Sequence, residues 1–478
     1  MPVDAAAVAL PSDARPPGPS RRACLARLAG AALAPVLPAL PVLGAMPSAA
    51  RAGAAPWSLP ALALRQRRLA NGLQVVSLPG AQTATVSVQL WYQVGGKDDP
   101  EGRSGFAHLF EHMMFKGTQH MPGEMFDRLT EDVGGQNNAY TAEDMTVYQN
   151  EVPSNHLERL LWAEAERMAR LRVDQANFDS ERQVVIEELR ERVLADPYGR
   201  LFNALPGHAF ERHPYRRPVI GSEADLQAAT LAEVQAFHAT YYRPDNAVLV
   251  VAGDLDPPQF DAWVDRYFGP LQAPARPVPR VRVHEPRRRH DRRATVTGPN
   301  VPLPAVALLW QGPPAAHGDA AALQIAQALL AAGDTGRLNE TLVYRDQLAI
   351  GAGFSSELYA DAGMLVAYAF AASGQPLAKV EASLLAELRR LADGPVPAAE
   401  LEKVRTRLLT DVLGGRQTPQ GLAEAIGRAA VVYGDARFAD RQIARLQAVQ
   451  PEDVQRVLHR HVLGARRVTI HYRQEGAA

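Results

Sequence analysis

Cysteine is almost missing from this chain: its 478 residues contain one, Cys24, so no disulfide framework can hold the fold. Cys24 precedes the apolar part of an N-terminal leader, badly placed for a lipid anchor, and a processed chain would keep no thiol. That composition suits an oxidising compartment. Net charge is also absent. With 51 Lys and Arg against 52 Asp and Glu, no global field draws the chain to nucleic acid or anionic lipid. The third absence is a long unbroken apolar run. The Ala/Leu-rich stretch from Leu25 to Leu43 is interrupted by Pro35, Pro38 and Pro41, which argues against a stable membrane span.

What stands there instead reads as a targeting segment over residues 1–54. Ser20-Arg21-Arg22-Ala23-Cys24-Leu25 has the form of a twin-arginine export signal, and Ala50-Arg51-Ala52 offers a small-x-small cleavage site. A general secretory signal fits nearly as well, and either route predicts a periplasmic or secreted protein. A mitochondrial presequence, hence the matrix, is the rival, because Arg21, Arg22, Arg27 and Arg51 occur with few acids. The prolines and the lack of an amphipathic basic helix favour bacterial export. The rest of the chain, 47% hydrophobic and 22% charged overall, is ample for more than one core.

The most informative segment is His108-Leu109-Phe110-Glu111-His112. At i and i+4 the two imidazoles share one helical face and can reach a single metal ion. Glu111 lies inside the same turn, placed to act on water rather than to ligate. The order H-x-x-E-H is a zinc-hydrolase signature. Phe106, Ala107, Leu109, Phe110, Met113, Met114 and Phe115 predict a largely buried helix, and buried imidazoles and carboxylates must be satisfied. Catalytic zinc takes three protein ligands and keeps one open position. Glu181 and Glu188, seven residues apart, share one face of a second helix that Val184, Val185 and Ile186 are expected to bury. Glu188 is the candidate third ligand, Glu181 a carboxylate behind the ligands, and Glu187 points to solvent. Spacing alone leaves Glu188 open between ligand and solvated face.

These segments together resemble the pitrilysin family of zinc metallopeptidases, the inverzincins, nearest to its mitochondrial-processing-peptidase-like bacterial branch. Gly105–Thr118, reading GFAHLFEHMMFKGT, resembles the family's active-site helix, and Glu181–Glu188 its E-x6-E ligand helix. Gly134-Gly135-Gln136-Asn137-Asn138-Ala139-Tyr140-Thr141 resembles its substrate-binding strand. His213-Pro214-Tyr215, Pro218-Val219-Ile220-Gly221, Tyr241 to Asn246 and Val250 to Asp254 resemble the close of its first domain. The likeness covers roughly residues 66–470. It implies one Zn2+ per chain on His108, His112 and Glu188. It implies Glu111 as the catalytic base, Glu181 in support of catalysis, and Asn138, Ala139, Tyr140 and Thr141 as an edge strand that pairs with peptide. An ordinary sheet edge is the alternative for that strand.

An internal repeat organises the chain. Thr85–Val94 alternates as a strand before the HxxEH helix; Val306–Trp310 does so before an apolar helix over Ala321–Leu330. Superposing the halves puts Leu323, Ala326 and Gln327 opposite His108, Glu111 and His112, so the second half has no metal chemistry. Amphipathic helices are predicted at Leu377–Ala392 and Ala398–Leu413. The reading is α+β, with two homologous α/β-sandwich domains of mostly antiparallel sheet and packed helices, over 55–272 and 294–474. A Pro/Arg-rich linker at 273–293 joins them, and its basic run Arg287–Arg293 is expected to be solvated. The resemblance makes this pair half of a peptidase clamshell.

Self-sufficient members of that family carry an Arg and a Tyr in the second half that reach the substrate carbonyl. Arg345 fits the first, but Ile350 stands near the tyrosine position and Tyr344 is out of register. Isoleucine cannot donate a hydrogen bond to an oxyanion. The departure implies a homologous metal-free subunit as partner, in a heterodimer, with a homodimer as the alternative. The expected function is a zinc-dependent endopeptidase acting on extended or unfolded peptides. The competing reading is a non-catalytic structural or partner subunit, although such proteins typically lose the metal ligands retained here.

Overall fold

A computed structural model describes residues 60–80, 83–123 and 125–476. The leader and its cleavage site lie outside the described residues. Residues 61–478 form one compact unit. Among the described residues, no helix is long and apolar enough to cross a membrane.

Six strands build the first sheet: β1 (Arg65–Arg68), β2 (Gln74–Pro79), β3 (Thr85–Tyr92), β4 (Gln136–Thr141), β5 (Thr146–Pro153) and β6 (Ala247–Gly253). Their order is β1-β2-β6-β3-β5-β4, antiparallel throughout except for the β2–β6 pair. β3 and β6 run through the middle and are buried along almost their whole length, as their Val/Leu-rich sequences demand. Among the described residues, β4 is left at the edge, paired only with β5, with Thr141 opposite Thr146 and Ala139 opposite Tyr148.

Five strands build the second sheet: β7 (Arg292–Gly298), β8 (Ala305–Gly312), β9 (Ala349–Leu358), β10 (Gly363–Ala371) and β11 (Val468–Gln474). The order is β7-β11-β8-β10-β9, with only β7 and β11 parallel. β9 is its edge, in the place β4 holds in the first sheet. The mixed α/β architecture of two mostly antiparallel, helix-covered sheets is the one read from the sequence. The predicted apolar helix is Ala320–Ala331, and the amphipathic pair are Leu377–Asp393 and Ala398–Gly415.

Each sheet is covered on one face by a helix from the other half of the chain. Pro419–Val432 lays Ala423, Ile426 and Ala430 on Trp91, Val147, Val248 and Val250 of the first sheet. In exchange, Gly199–Ala209 lays Leu201, Leu205 and Ala209 on Ala305, Ala307, Leu309 and Ile470 of the second. The segment between the halves is pinned as well. Glu285 accepts hydrogen bonds from the backbone N–H groups of Glu211, Arg212 and His213. Arg288, expected to be solvated, is buried, and its Nη2 donates to the carbonyls of His208 and Ala209 at the end of the exchanged helix. A guanidinium carrying five donors can cap carbonyls that the helix leaves unpaired.

Candidate metal centre

The HxxEH helix, Phe106–Met113, is fixed from three sides. Phe106, Leu109, Phe110 and Met113 sink into the first core. Gly105 begins it with φ 93°, and a Cβ there would stand 2.9 Å from the carbonyl oxygen of Ile220. The buried carboxylate of Asp99 accepts from the N–H groups of Gly105 (2.7 Å) and Ala107 (2.8 Å), doing for this helix what an N-cap side chain usually does. The Glu188 helix, Gln175–Leu189, crosses beside it. Its N-cap Asp174 accepts from the Asn177 N–H at 3.0 Å, and it runs on into a π-type turn, Arg190–Ala195. Val185 and Ile186 bury that helix, whereas Val184, expected to help, is 46% exposed.

The crossing brings three groups together. The His108 and His112 rings stand perpendicular, centroids 5.0 Å apart. Glu188 Oε2 is 3.6 Å from His108 Nε2 and 3.4 Å from His112 Nε2. Among the described residues this is the one group of three or more potential metal ligands, with its donor atoms all within 4.8 Å. Two donors on one tetrahedral zinc, each at about 2.0–2.1 Å, stand about 3.4 Å apart. The spacing and the two-imidazole, one-carboxylate chemistry therefore fit zinc.

The carboxylates of this second helix divide their oxygens. Glu181 places Oε2 3.6 Å from His112 Nδ1 and gives Oε1 to Lys116 Nζ at 2.8 Å. Glu188 keeps Oε2 toward the imidazoles and Oε1 on Arg192 at 3.0 Å. Glu187 turns outward to Arg190. Burial drives the His108 pKa down to about 4, leaving its ring neutral as a ligand must be. Burial also works against charge on His112, but its hydrogen bonds to Glu181 and Glu188 outweigh that and lift it to about 9. For Glu181 and Glu188 burial raises the pKa, yet the contacts with His112 and the neighbouring cations bring both below the usual carboxylate range.

Glu111 is buried on the same helix, and burial lifts its pKa to about 7, despite the hydrogen bond it accepts on Oε2 from Thr141 Oγ1 at 2.6 Å. Thr141 closes β4, so the edge strand touches the Glu111 carboxylate directly. Along β4, Ala139 is buried, Asn138 is exposed with its Oδ1 on the Ala139 N–H, and Tyr140 donates to Glu424 of the exchanged helix at 2.8 Å. Arg345 is not brought to this cluster: it lies exposed at the end of a π-type turn, Asn339–Arg345, paired with Asp346. Ile350 on β9 is 60% exposed. In the second half, the Ala320–Ala331 helix is tied to its own edge strand by Gln327 Oε1, which accepts from Ser356 N and Oγ.

Asp99, Lys116, Arg192 and the Thr141–Glu111 bond join the site without being part of the motifs read from the sequence. Two of these had a signal: Lys116 follows His112, and Arg192 follows Glu188, by one helical turn.

Residues 74–223 match the family model for Insulinase (Peptidase family M16), and residues 228–408 match the Peptidase M16 inactive domain. The zinc protease PqqE of Helicobacter pylori is 33% identical over 360 residues, 74% of this chain and 80% of that protein. A probable mitochondrial-processing peptidase subunit beta from Arabidopsis thaliana is 24% identical over 83% of this chain and 76% of its own length. The crystal structure of a protease from Helicobacter pylori superposes with a TM-score of 0.82 at 29% identity, covering 86% of this chain and 99% of that one. With the ligand-bearing half under one of these models and the metal-free half under the other, the chain belongs to peptidase family M16, the insulinase and pitrilysin-like zinc proteases.

Proposed function

We propose that this chain is a zinc-dependent endopeptidase that hydrolyses extended or unfolded peptides. The observation that carries the reading is the meeting of three metal-ligand side chains, a buried carboxylate and an unpaired strand edge at one place. Zinc held by His108, His112 and Glu188, one ion per chain, would supply the Lewis-acid chemistry that acidifies a water and polarises a peptide carbonyl. Glu111 takes the proton of the attacking water and later delivers it to the leaving amine. Its Oε2 is occupied by Thr141, which leaves Oε1 for that transfer. β4, unpaired on its outer side, holds the peptide extended by main-chain pairing, with Asn138 giving up its bond to the Ala139 N–H. Glu181 supports the site by orienting His112.

The second half as it stands offers Arg345 but only isoleucine at the tyrosine position, so we propose that a homologous metal-free subunit completes the chamber. Full peptidase activity from the chain alone, monomeric by light scattering, would sink that part; activity from a homodimer would sink the heterodimer. On the export-signal reading of residues 1–54 we place the protein in the periplasm or outside the cell, with the mitochondrial matrix as the alternative; the chemistry does not depend on which.

Glu111→Gln tests the core of the proposal. It should keep zinc and fold but lose hydrolysis of an unstructured peptide library by about 10³-fold, since the base is gone and the metal ligands remain. Undiminished cleavage would remove the catalytic reading. Zinc content separates the non-catalytic alternative: Glu188→Gln should lose the metal and Glu187→Gln should keep it.

A further inference from the structure

Glu111 is held by a donor with two acceptors in reach, one much closer than the other. Thr146 Oγ1 donates to the carbonyl of Val94 at 3.0 Å, so toward Thr141 it can only accept. Thr141 Oγ1 stands 3.5 Å from Thr146 Oγ1 and 2.6 Å from Glu111 Oε2. A hydroxyl has a single proton, and the contact shorter by 0.9 Å takes it. The backbone after Thr141 is tied down. The turn after it is clamped where Gly96 N–H donates to Ala142 O and Lys97 N–H to Glu143 O. The clamp also requires glycine at 95, since a Cβ there would come within 2.6 Å of Met145 N.

We infer that Thr141 is a positioning residue: its hydroxyl fixes the Glu111 carboxylate so that Oε1 is the working base, and ties base and peptide to the same strand. A residue on β4 thereby sets the base while the outer edge of β4 sets the peptide backbone, so both are referenced to one strand. That arrangement matters because near-attack geometry is lost with small displacements. The inference rests on the peptidase reading for its kinetic consequence, but not for its structural one.

Thr141→Val keeps shape and β-branching and removes only the donor; Thr141→Ser keeps the donor. The expected result is a kcat reduced by about 10- to 100-fold in Thr141→Val, the size expected for losing a hydrogen bond to a charged group. KM, zinc content and urea midpoint should stay near the parent's, and Thr141→Ser should recover most of the rate. In a crystal structure of zinc-free Thr141→Val, the Glu111 carboxylate should leave its position against β4. Parental kcat in Thr141→Val, or Thr141→Ser as slow as Thr141→Val, overturns the inference. If the parent hydrolyses no peptide, the function proposal has failed and the crystal structure alone decides: Glu111 unmoved overturns the inference, Glu111 displaced supports it.

Discussion

Gly427→Ala probes whether the exchanged helix from the second half supports the first. Gly427 lies inside Pro419–Val432, and there the backbone meets the indole of Trp91, which is fully buried on β3. An added Cβ would overlap Cε2 and Nε1 of that ring and stand 2.6 Å from Cζ2. In an open helix interior the same change would stabilise by about 1 kcal/mol, because glycine is a poor helix former. Overpacking costs about 1–3 kcal/mol. Tilting the ring would also strain the Trp91 Nε1 bond to Gln89 Oε1 (3.1 Å), and an unpaired buried donor costs about 1–3 kcal/mol. The unfavourable terms win, and the net expectation is a destabilisation of about 1–5 kcal/mol. Gly414, in the Ala398–Gly415 helix, is the control, since a Cβ there meets nothing within 4 Å. Gly414→Ala should be neutral or slightly stabilising. Urea unfolding followed by tryptophan fluorescence reads both. If Gly427→Ala unfolds at or above the parent midpoint, the packing of this helix on Trp91 is not as described.

Two further outcomes follow from the electrostatics. Glu181→Gln should still bind about one zinc when metal is in excess, but about 10- to 100-fold more weakly in competition with a chromophoric chelator, because it orients a ligand without being one. An unchanged affinity would remove Glu181 from the site. Asp319, at the start of the Ala320–Ala331 helix, has its carboxyl lowered to about 2: burial opposes charge, but hydrogen bonds from Arg456 (2.6 Å) and His461 (2.8 Å) outweigh it. A folded-state pKa below the unfolded one gives stability that is present above about pH 4 and is lost as pH falls toward 2. Asp319→Asn should flatten the urea midpoint over that window, and an unaltered acid slope would refute the assignment.

The metal cluster was legible because helical periodicity is local information. His108 and His112 at one turn, and Glu181 and Glu188 at two turns, declare shared faces without knowledge of the fold. That the two helices meet through those faces is a tertiary fact, and there the resemblance supplied what spacing left open. Asp99 could not be read: it caps a helix that starts several residues later, through a loop path no periodicity encodes. Thr141 was legible as part of an edge strand, but its bond to Glu111 is a tertiary contact between a strand and a helix 30 residues apart. Arg288 looked like one more charge in a basic run. Its burial is set by the carbonyls of a helix about 80 residues earlier. Val184 failed for the opposite reason, since an apolar triplet on a helix cannot place all its members on one face.

The helix exchange suggests why a half without metal ligands matters to the half that has them. An apolar helix face does not encode which sheet it will cover, and in this chain it covers the other half's. Pro419–Val432 does more than fill the face behind Trp91. Its Glu424 accepts from Tyr140 on β4, its Gln420 pairs with Gln136 on β4 and Gln149 on β5, and Gln89 of β3 donates to the Gln420 carbonyl. The strand that ends on Thr141 is therefore backed by side chains from beyond residue 400. The second half repeats the same internal device, a helix tied to an edge strand, through Gln327 and Ser356 and without any metal. A tie that persists where the ligands do not belongs to the scaffold. The proposed zinc chemistry of the first half would then draw on a helix-to-edge contact that the fold makes in both.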